Sequence, residues 1–536
     1  MILGNPPYNA FAGVSPEEEN GLVEPYKLGL VTEWRIKKFN LDDLYVRFFR
    51  MAEKRVAEHG GRGVVSFISN FSYLGDPSFV VMRRRFLDEF DALWLDCMNG
   101  DSRETGKLTP AGKPDPSVFS TEWSREGIRV GTAIGLFVKR ARTRKRGPVV
   151  RFRHFWGVTK RADLLETLDA KEFNAGYETA SPKEQNRWSF RPTDVTSEYL
   201  TWPRVVELCA ESPSNGLMEK RGGALIDSDR ESLVLRMSAY YDPKKSWDEF
   251  KVSGHGLAVD AARYSARAAR SKILDMEAFD EARLRRYALR PFDNRWCYYS
   301  PVRPLWNEPR PTLWKQCWDE NSFLLTRFNC AKRDEGVPFF YTPLLSDDHF
   351  LTPDAVAVPF RLKCGTGDTG NYLPGLAVQS SITANLSRSA RAYLVSLSLS
   401  DPDADQETAD LIWYHALAIG YSPSYLMENA DGIRQDWPRI PLPKAKDALL
   451  ASAALGRQVA ALLDTETPVP GVTAGKIRDD LRTVAVFQRV DGKAANPDAG
   501  DLDVTAGWGH AGKGGVTMPG KGKLLQAEGQ EPAFDV

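Results

Sequence analysis

The tetrapeptide Asn5-Pro6-Pro7-Tyr8 combines an amide, two prolines and an aromatic ring near the start of the 536-residue chain. Ile2 and Leu3 are expected to be the tail of a buried strand, with Gly4 as its exit, and the prolines exclude helix and ladder pairing, so we expect a stiff, exposed loop to follow. In such a loop the Asn5 side-chain oxygen and the Pro6 carbonyl can accept both hydrogens of an exocyclic amino group, while Tyr8 stacks on the ring that carries it. The pattern predicts a site for a flat, amino-bearing ligand, and the alternative is an ordinary proline turn.

The composition is that of a globular protein, with 42% hydrophobic and 26% charged residues and enough chain for at least two hydrophobic cores. Lysine plus arginine equals aspartate plus glutamate at 71 each, so a nucleic-acid partner would have to be held by local basic clusters. The six cysteines form no C-x-x-C pair and the six histidines are dispersed, which argues against a metal site. The sequence shows no signal peptide and no apolar run of membrane-spanning length, and we expect a reduced cytoplasm and no membrane partner.

Helical and strand patterns alternate over the first 140 residues. Helices are expected over 42–58 and 80–90, and short β-branched runs predict strands at 63–69, 92–98 and 132–140. This alternation is typical of an α/β layer with a mainly parallel sheet. The residues expected to face the core from the first helix are Leu44, Phe48, Met51, Ala52 and Val56.

A change in composition and in the pattern of helices and strands predicts a domain boundary after residue 145. Residues 146–490 are rich in tryptophan, tyrosine and proline, and their helical patterns return only at 405–418 and 444–463. Residues 491–536 are rich in glycine, lysine and aspartate, which indicates a linker or a disordered end. We therefore predict an N-terminal α/β domain, a mixed α+β domain and a tail.

Placed at a strand end, NPPY resembles the catalytic motif of amino-group methyltransferases that act on adenine in DNA. DDLYVRFF (42–49) resembles a helix of the γ-type N6-adenine enzymes, GGRGVVSFISNFSYL (60–74) their next strand and loop, and VFSTEWSREGIRVGTAIGLFVKR (118–140) their late aromatic and hairpin region. These four segments follow the order of that family. The resemblance implies that residues 1–145 are the C-terminal part of a Rossmann-like methyltransferase layer whose first strands are missing.

The resemblance also implies roles for single residues of the motif. Asn5 and the Pro6 carbonyl would bind the adenine N6 and make this nitrogen more nucleophilic, with Pro7 completing the rigid loop. Tyr8 would stack on the adenine after its extrusion from the duplex, and Phe119 is the candidate for a second aromatic contact. Phe119 is equally compatible with a core position in its hairpin.

The implied methyl donor is S-adenosylmethionine. Tyr45 and Phe48 match the family's cofactor-side helix, although an amphipathic helix also needs aromatic residues for its core.

The second domain resembles the C-terminal specificity region of the single-chain Type ISP restriction-modification enzymes. The resemblance lies in RRYALRPFDNRWCYYSPVRPLWNEPRPTLWKQ (285–316), WYHALAIGYSPSYL (413–426) and DWPRIPLPK. In that family a nuclease and a translocating helicase precede a methyltransferase and a target-recognition domain on one polypeptide. No P-loop is present in this sequence. The implied partners are double-stranded DNA and an upstream chain or module with nuclease, helicase and the rest of the methyltransferase.

Arginines supply the candidate DNA contacts outside the motif. Arg290 and Arg295 can fork onto guanine, although the alternating pattern around them also indicates a strand with core packing and internal Arg–Asp pairs. A basic run at the domain boundary is either a solvated linker or a set of phosphate contacts. Its members are Lys139, Arg140, Arg142, Arg144 and Lys145.

Three functions are compatible with these patterns. The first is site-specific methylation of adenine N6 in DNA, and the second is a specificity protein that binds DNA without catalysis. The third is methylation of a protein glutamine, because NPPY also serves to bind the glutamine amide. The large aromatic second domain disfavours this function.

In the γ-type order, the Gly-rich loop and acidic residue that hold S-adenosylmethionine precede NPPY, whereas only four residues precede Asn5 here. KCGTGDTGN (363–371) is Gly-rich but follows the wrong elements. We therefore expect this chain to be the C-terminal portion of a longer enzyme, through a truncated gene model, a split gene or a frameshift, and to bind the cofactor poorly alone.

Overall fold

The structure is a computed structural model of the 536-residue chain. The residues that it describes are 1–8, 21–34, 36, 39–102, 104–141, 147–193, 195–261, 264–328, 336–351, 355–364, 381–476 and 478–480.

Strands and helices are spread over the whole described chain. The strands are β1 Ile2–Gly4, β2 Gly63–Asn70, β3 Ala92–Asn99, β4 Thr132–Lys139, β5 Val149–His154, β6 Glu178–Ala180, β7 Ser214–Asn215, β8 Ile226–Asp227, β9 Leu284–Arg290, β10 Asp293–Tyr298, β11 Phe323–Thr326, β12 Phe340–Thr342, β13 Leu345–Ser346, β14 Val356–Pro359, β15 Arg361–Cys364 and β16 Ser381–Ala384. The α-helices are α1 Glu24–Lys27, α2 Leu44–Glu53, α3 Val80–Glu89, α4 Lys160–Glu166, α5 Ser197–Thr201, α6 Val205–Leu208, α7 Arg230–Tyr241, α8 Trp247–Lys251, α9 Ala266–Met276, α10 Pro311–Lys315, α11 Arg388–Ser396, α12 Gln406–Gly420, α13 Pro423–Glu428, α14 Ala430–Gln435 and α15 Lys446–Leu463.

The chain forms two compact units. Unit 1 comprises Met1–Val205, Phe328–Pro338 and Ser422–Pro441, and unit 2 comprises Val206–Arg327, Phe339–Tyr421 and Leu442–Val536. The functional boundary predicted after residue 145 stays a prediction, but the first sheet continues beyond it, because β5 and β6 pair with β3 and with each other.

Unit 1 is built on a six-stranded sheet in the order β1-β2-β4-β3-β5-β6. The strands and helices predicted between residues 63 and 140 are confirmed to within one residue at each end. β1, β2, β3 and β5 run in the same direction, whereas β4 runs antiparallel between β2 and β3. The chain returns from β3 to β4 through an irregular segment and not through a crossover helix, so this part of the sheet is mixed.

The face that α2 turns to the core differs from the predicted stripe. Tyr45 and Phe49 are 1% and 2% exposed, whereas Phe48 and Met51 are 42% and 52% exposed. Phe49 lies in the centre of an aromatic cluster, with its ring centroid 5.1 Å from that of Phe67. The prediction is confirmed for Ala52 and Val56, which are 3% and 6% exposed, and was wrong for Phe48 and Met51, because sequence periodicity allowed two overlapping apolar faces.

Unit 2 contains two four-stranded sheets, in the orders β13-β9-β10-β8 and β12-β11-β14-β7, and the hairpin β15-β16. The two helices predicted near its end are confirmed as α12 and α15, which pack along each other. Gly456 permits this approach, because a Cβ atom there would lie 1.8 Å from the Tyr414 carbonyl oxygen. The chain is thus a mixed α/β protein with several sheets.

Within the described residues, no helix is long and apolar enough to cross a membrane. The same residues contain no group of histidine, cysteine and acidic side chains that could hold a metal ion.

Candidate functional site

Asn5-Pro6-Pro7-Tyr8 begins directly after β1, at the carboxyl end of that strand. The prediction that this strand is buried was wrong, because Leu3 is 63% exposed. Gly4 lies opposite Phe67 of β2, and a Cβ atom at Gly4 would come within 3.1 Å of the Phe67 ring. The glycine therefore lets the chain leave the sheet close to its neighbour. Asn5 is exposed, and its amide makes no hydrogen bond to any described residue, whereas Pro6 is buried.

The Tyr8 ring lies against the ring of Phe119, with centroids 6.2 Å apart and planes at 65°. The two aromatic residues assigned to the extruded base are thus neighbours, although 111 positions of sequence separate them. The Tyr8 hydroxyl is buried and has no hydrogen-bond partner among the described residues. Burial raises the pKa of Tyr8 to about 12, so the phenol stays protonated at neutral pH.

Polar side chains gather where the parallel strands end, at what we call the carboxyl edge of the sheet. Asn70 ends β2 and Asn99 ends β3, with Thr132 of β4 paired to both. The Asn99 amide nitrogen donates to the Phe155 carbonyl at 2.9 Å and lies 3.1 Å from His154 Nδ1 at the end of β5. Asn99 has a φ of +49°, a left-handed conformation that asparagine tolerates better than most residues. These contacts connect the ends of β2, β3 and β5 and the start of β4.

Asp115 connects two loops of the carboxyl edge. Its carboxylate accepts hydrogen bonds from the backbone N–H groups of Gly100 at 2.8 Å and Gly157 at 2.7 Å. It also pairs with Lys160 at 2.5 Å, and both side chains are almost fully buried. Lys160 Nζ donates further to the Met98 carbonyl at 2.7 Å. Burial lowers the pKa of Lys160, and the Asp115 carboxylate opposes that shift.

A cavity of about 310 Å³ opens beside β2, β3 and β5 at the same edge. Its lining includes Asn99, His154, Trp156 and Arg191. The His154 and Trp156 rings stack with centroids 5.2 Å apart, and Arg191 pairs with Glu104 at 2.6 Å. The volume is at the low end of the range for small-molecule sites. Its described lining does not include the NPPY residues.

The remaining candidates of unit 1 lie in different environments. Tyr45 is enclosed in the core, with its ring stacked on Phe79 at 6.3 Å, whereas Phe48 of the same helix is exposed. Lys139 forms an ion pair with Glu89 at 3.2 Å. Arg140 is exposed. Arg142, Arg144 and Lys145 lie outside the described residues, as do most of 363–371 and the whole predicted tail.

In unit 2, Arg290 and Arg295 lie on the two strands of the β9–β10 hairpin. Arg295 is 9% exposed, and its guanidinium forms a two-point contact with Asp293 at 2.8 and 3.0 Å. Arg290 has a side chain that is 46% exposed and pairs with Asp347 at 2.8 Å through Nη1. The internal Arg–Asp pairing that the alternating pattern indicated is therefore present at Arg295.

Sequence reasoning missed the buried pair of Asp115 and Lys160. Both residues stand among other charged residues in a loop and a short helix, and nothing in the local pattern distinguishes them from solvated charges. The usable signal was the position of Gly100 and Gly157, which follow β3 and β5 closely and whose backbone N–H groups donate to Asp115.

The fold is similar to that of proteins whose structures were solved in complex with DNA. A cryo-EM structure of a DrdV–DNA complex matches with a TM-score of 0.61 and 19% identity over 88% of this chain and 45% of that chain. The ATP-dependent Type ISP restriction-modification enzyme LlaBIII bound to DNA matches with a TM-score of 0.62 and 17% identity over 88% of this chain and 30% of that one. A nuclease-deletion mutant of the Type ISP enzyme LlaGI with a DNA substrate mimic matches with a TM-score of 0.58 and 19% identity, covering 88% and 42%. This chain thus spans less than half of each of these chains, and at such identities the likeness concerns the fold.

A family profile identifies the class at the level of sequence. The Type ISP C-terminal specificity domain matches residues 210–500, which is more than half of the chain. The chain belongs to this family. No curated protein matches it.

Proposed function

We propose that this chain is a segment of a site-specific DNA adenine-N6 methyltransferase of the Type ISP kind, in which unit 1 holds the target adenine and unit 2 recognises duplex DNA. The observation that carries the proposal is the position of Asn5 to Tyr8 at the carboxyl end of β1, with Phe119 against Tyr8. Open α/β sheets bind their ligands outside the carboxyl ends of the strands. Membership of the Type ISP specificity family supports the assignment of unit 2.

The residues of unit 1 would act by binding and orienting an extruded adenine. In the duplex the N6 amino group is paired, so the base has to leave the stack before the nitrogen can react. The free Asn5 amide offers Oδ1 to one N6 hydrogen and the Pro6 carbonyl accepts the other, which makes the nitrogen more nucleophilic. Tyr8 and Phe119 supply aromatic surface for the base, and the protonated Tyr8 phenol adds no charge to the pocket. When bound, S-adenosylmethionine would supply the methyl group.

The residues assigned to the cofactor do not form a site for it within the described chain. Tyr45 is 1% exposed and stacked on Phe79, so its ring has no open face for a ligand. Phe48 offers an exposed ring, but one aromatic side chain does not hold a nucleoside and a sulfonium group. The described residues therefore do not hold the cofactor by themselves, and its binding by this chain stays a prediction.

The enclosed position of Tyr45 favours a second candidate function, which is recognition of DNA without catalysis by this chain alone. Both candidates require binding to duplex DNA, and only the first requires methyl transfer.

Two measurements on the 536-residue chain test the proposal. The first is a gel shift on a pool of duplexes with randomised sequence, and the second is transfer of labelled methyl from S-adenosylmethionine to adenine N6 in the same DNA. Binding with transfer that Asn5→Ala abolishes supports the first function, since the amide acts on the base and not on the phosphates. Binding without transfer supports the second function, and absence of binding contradicts both.

A further inference from the structure

We infer that the tip of the β9–β10 hairpin, Arg290-Pro291-Phe292, contacts the bases of duplex DNA, with Arg290 donating hydrogen bonds in a groove and Phe292 stacking on a base. This inference rests on the proposed function of unit 2 in DNA recognition, and it names the residues that would read the sequence. We refer to these three residues as the hairpin tip.

Phe292 is an unusual residue for its position. It has a φ of +63°, a left-handed conformation that bulky side chains rarely adopt, and the residue is 60% exposed to solvent. Hairpin turns that need a positive φ usually take glycine, asparagine or aspartate. Phenylalanine therefore makes the turn less stable than glycine would, and the exposed ring gains little from burial. Strained and exposed residues of this kind concentrate at functional sites.

The ring of Phe292 is nevertheless held in one place. It packs edge-on against the buried ring of Phe340, with centroids 5.5 Å apart and planes at 76°. Pro291 precedes it and fixes the φ of the first turn residue. The hairpin tip thus presents an aromatic face that loses little conformational entropy when a base stacks on it.

Arg290 adds a partly unused guanidinium beside this ring. Asp347 Oδ1 accepts from Arg290 Nη1, while Oδ2 of the same carboxylate accepts from the Tyr287 hydroxyl at 2.8 Å. Asp347 is itself 8% exposed, so it orients the arginine from below. No described residue accepts a hydrogen bond from Nε or Nη2 of Arg290. These free donors match the two acceptors that guanine presents in the major groove.

Arg295 provides the contrast within the same hairpin. Its Nε and Nη2 are both occupied by Asp293, and the residue is 9% exposed. The structure therefore distinguishes the two arginines that the sequence could not separate, and it favours Arg290 as the residue that contacts bases.

The experiment selects bound duplexes from a randomised pool with the wild-type chain and then compares variants on the selected sequence. Because a good two-point contact discriminates between bases by about 5-fold to 150-fold, Arg290→Ala should lose preference at one base pair by that factor. Arg290→Lys should keep much of the affinity and lose the preference, since lysine has no planar fork. Phe292→Ala should weaken binding by about 5-fold to 150-fold, the range for one stacked base, and leave the salt dependence unchanged.

Matched controls lie in the same unit. Arg303 has a side chain that is 58% exposed and pairs with Glu308, and Leu235 is 70% exposed, so Arg303→Ala and Leu235→Ala should bind as the wild type does. Phe292→Gly and Phe292→Ala both lose the ring and its contact with Phe340, but only glycine relieves the left-handed strain, so the thermal midpoint should fall less in Phe292→Gly while DNA affinity falls alike in both.

Each outcome separates this inference from the proposed function. If the wild-type chain binds no duplex, the proposed function itself is contradicted. If the wild type binds and selects a sequence but the Arg290 and Phe292 variants match it in affinity and preference, only the inference is overturned. A change in self-association without a change in DNA binding would make the hairpin tip a protein contact and would also overturn it.

Discussion

Asp115→Asn should loosen the carboxyl edge of the first sheet far more than a conservative exchange in a loop normally does. The carboxylate receives N–H groups at both oxygens, from Gly100 and Gly157, and it is the partner of buried Lys160. Asparagine keeps the shape but places an NH₂ group against one of these donors. It also leaves the lysine without a counter-charge.

The size of the effect follows from these two losses. An unpaired buried charge costs about 3–5 kcal/mol, and deprotonation of Lys160, whose pKa burial already lowers, limits the cost to the lower part of that range. One unsatisfied backbone N–H adds about 1–3 kcal/mol. Together these losses give a local loss of about 4–6 kcal/mol, which corresponds to exchange that is faster by about a thousand-fold to twenty-five-thousand-fold for amides protected by this contact.

Hydrogen exchange measured by mass spectrometry gives the local readout, because a chain with two compact units need not unfold in one transition. Peptides that contain Gly100 and Gly157 should exchange faster in Asp115→Asn, while peptides from β9 and β10 should not change. Asp163→Asn is the control, since Asp163 lies on α4 beside Lys160 but accepts only an exposed hydrogen bond from Thr159. Adding Lys160→Met to Asp115→Asn should restore part of the protection. Wild-type exchange in Asp115→Asn would refute the reasoning.

Three further outcomes are expected. Burial raises the pKa of Asp410 from 3.8 to about 6, so the contribution of this carboxyl group to stability is greatest below pH 4 and falls by about 3 kcal/mol as pH rises through 6. In urea unfolding, the stability of Asp410→Asn relative to the wild type should therefore rise by about 3 kcal/mol between pH 4 and 7, and a pH-independent difference would contradict this. Arg83 is fully buried and donates hydrogen bonds to the carbonyls of Tyr73, Asp76 and Arg187. In thermal unfolding, Arg83→Met should lower stability by about 2–4 kcal/mol, whereas Arg84→Met should not, because Arg84 is exposed. Neutralising Arg142, Arg144 and Lys145 together should weaken binding to all duplexes alike and flatten the salt dependence, whereas an unchanged slope would make the run a solvated linker.

Local patterns predicted the elements better than their arrangement. The runs around β2, β3 and β4 are β-branched and apolar enough to identify each strand, and NPPY was expected at a strand end, where it lies. The antiparallel insertion of β4 was not predicted, since it depends on how the irregular segment 100–131 returns to the sheet. The contacts of Arg83 with Arg187 and of Asp115 with Lys160 join positions 104 and 45 residues apart, and no periodicity encodes such pairs.

The candidate site was predictable where a short motif carries the chemistry. Asn5 to Tyr8 could be proposed from residue types alone, and Phe119 only through resemblance to a family, because nothing local relates it to Tyr8. Arg290 and Arg295 were equivalent in the sequence, and only the position of Asp293 and Asp347 around them distinguishes a free guanidinium from an occupied one.

The most direct test of the central claim is whether an adenine leaves the duplex when this chain binds. In the duplex selected by the chain, each adenine is replaced in turn by the fluorescent base 2-aminopurine, whose emission rises when it is unstacked. We predict a rise at one position only, with an affinity loss of about 1–3 kcal/mol for Tyr8→Ala on that duplex. Tight binding without a rise at any adenine position would contradict the account.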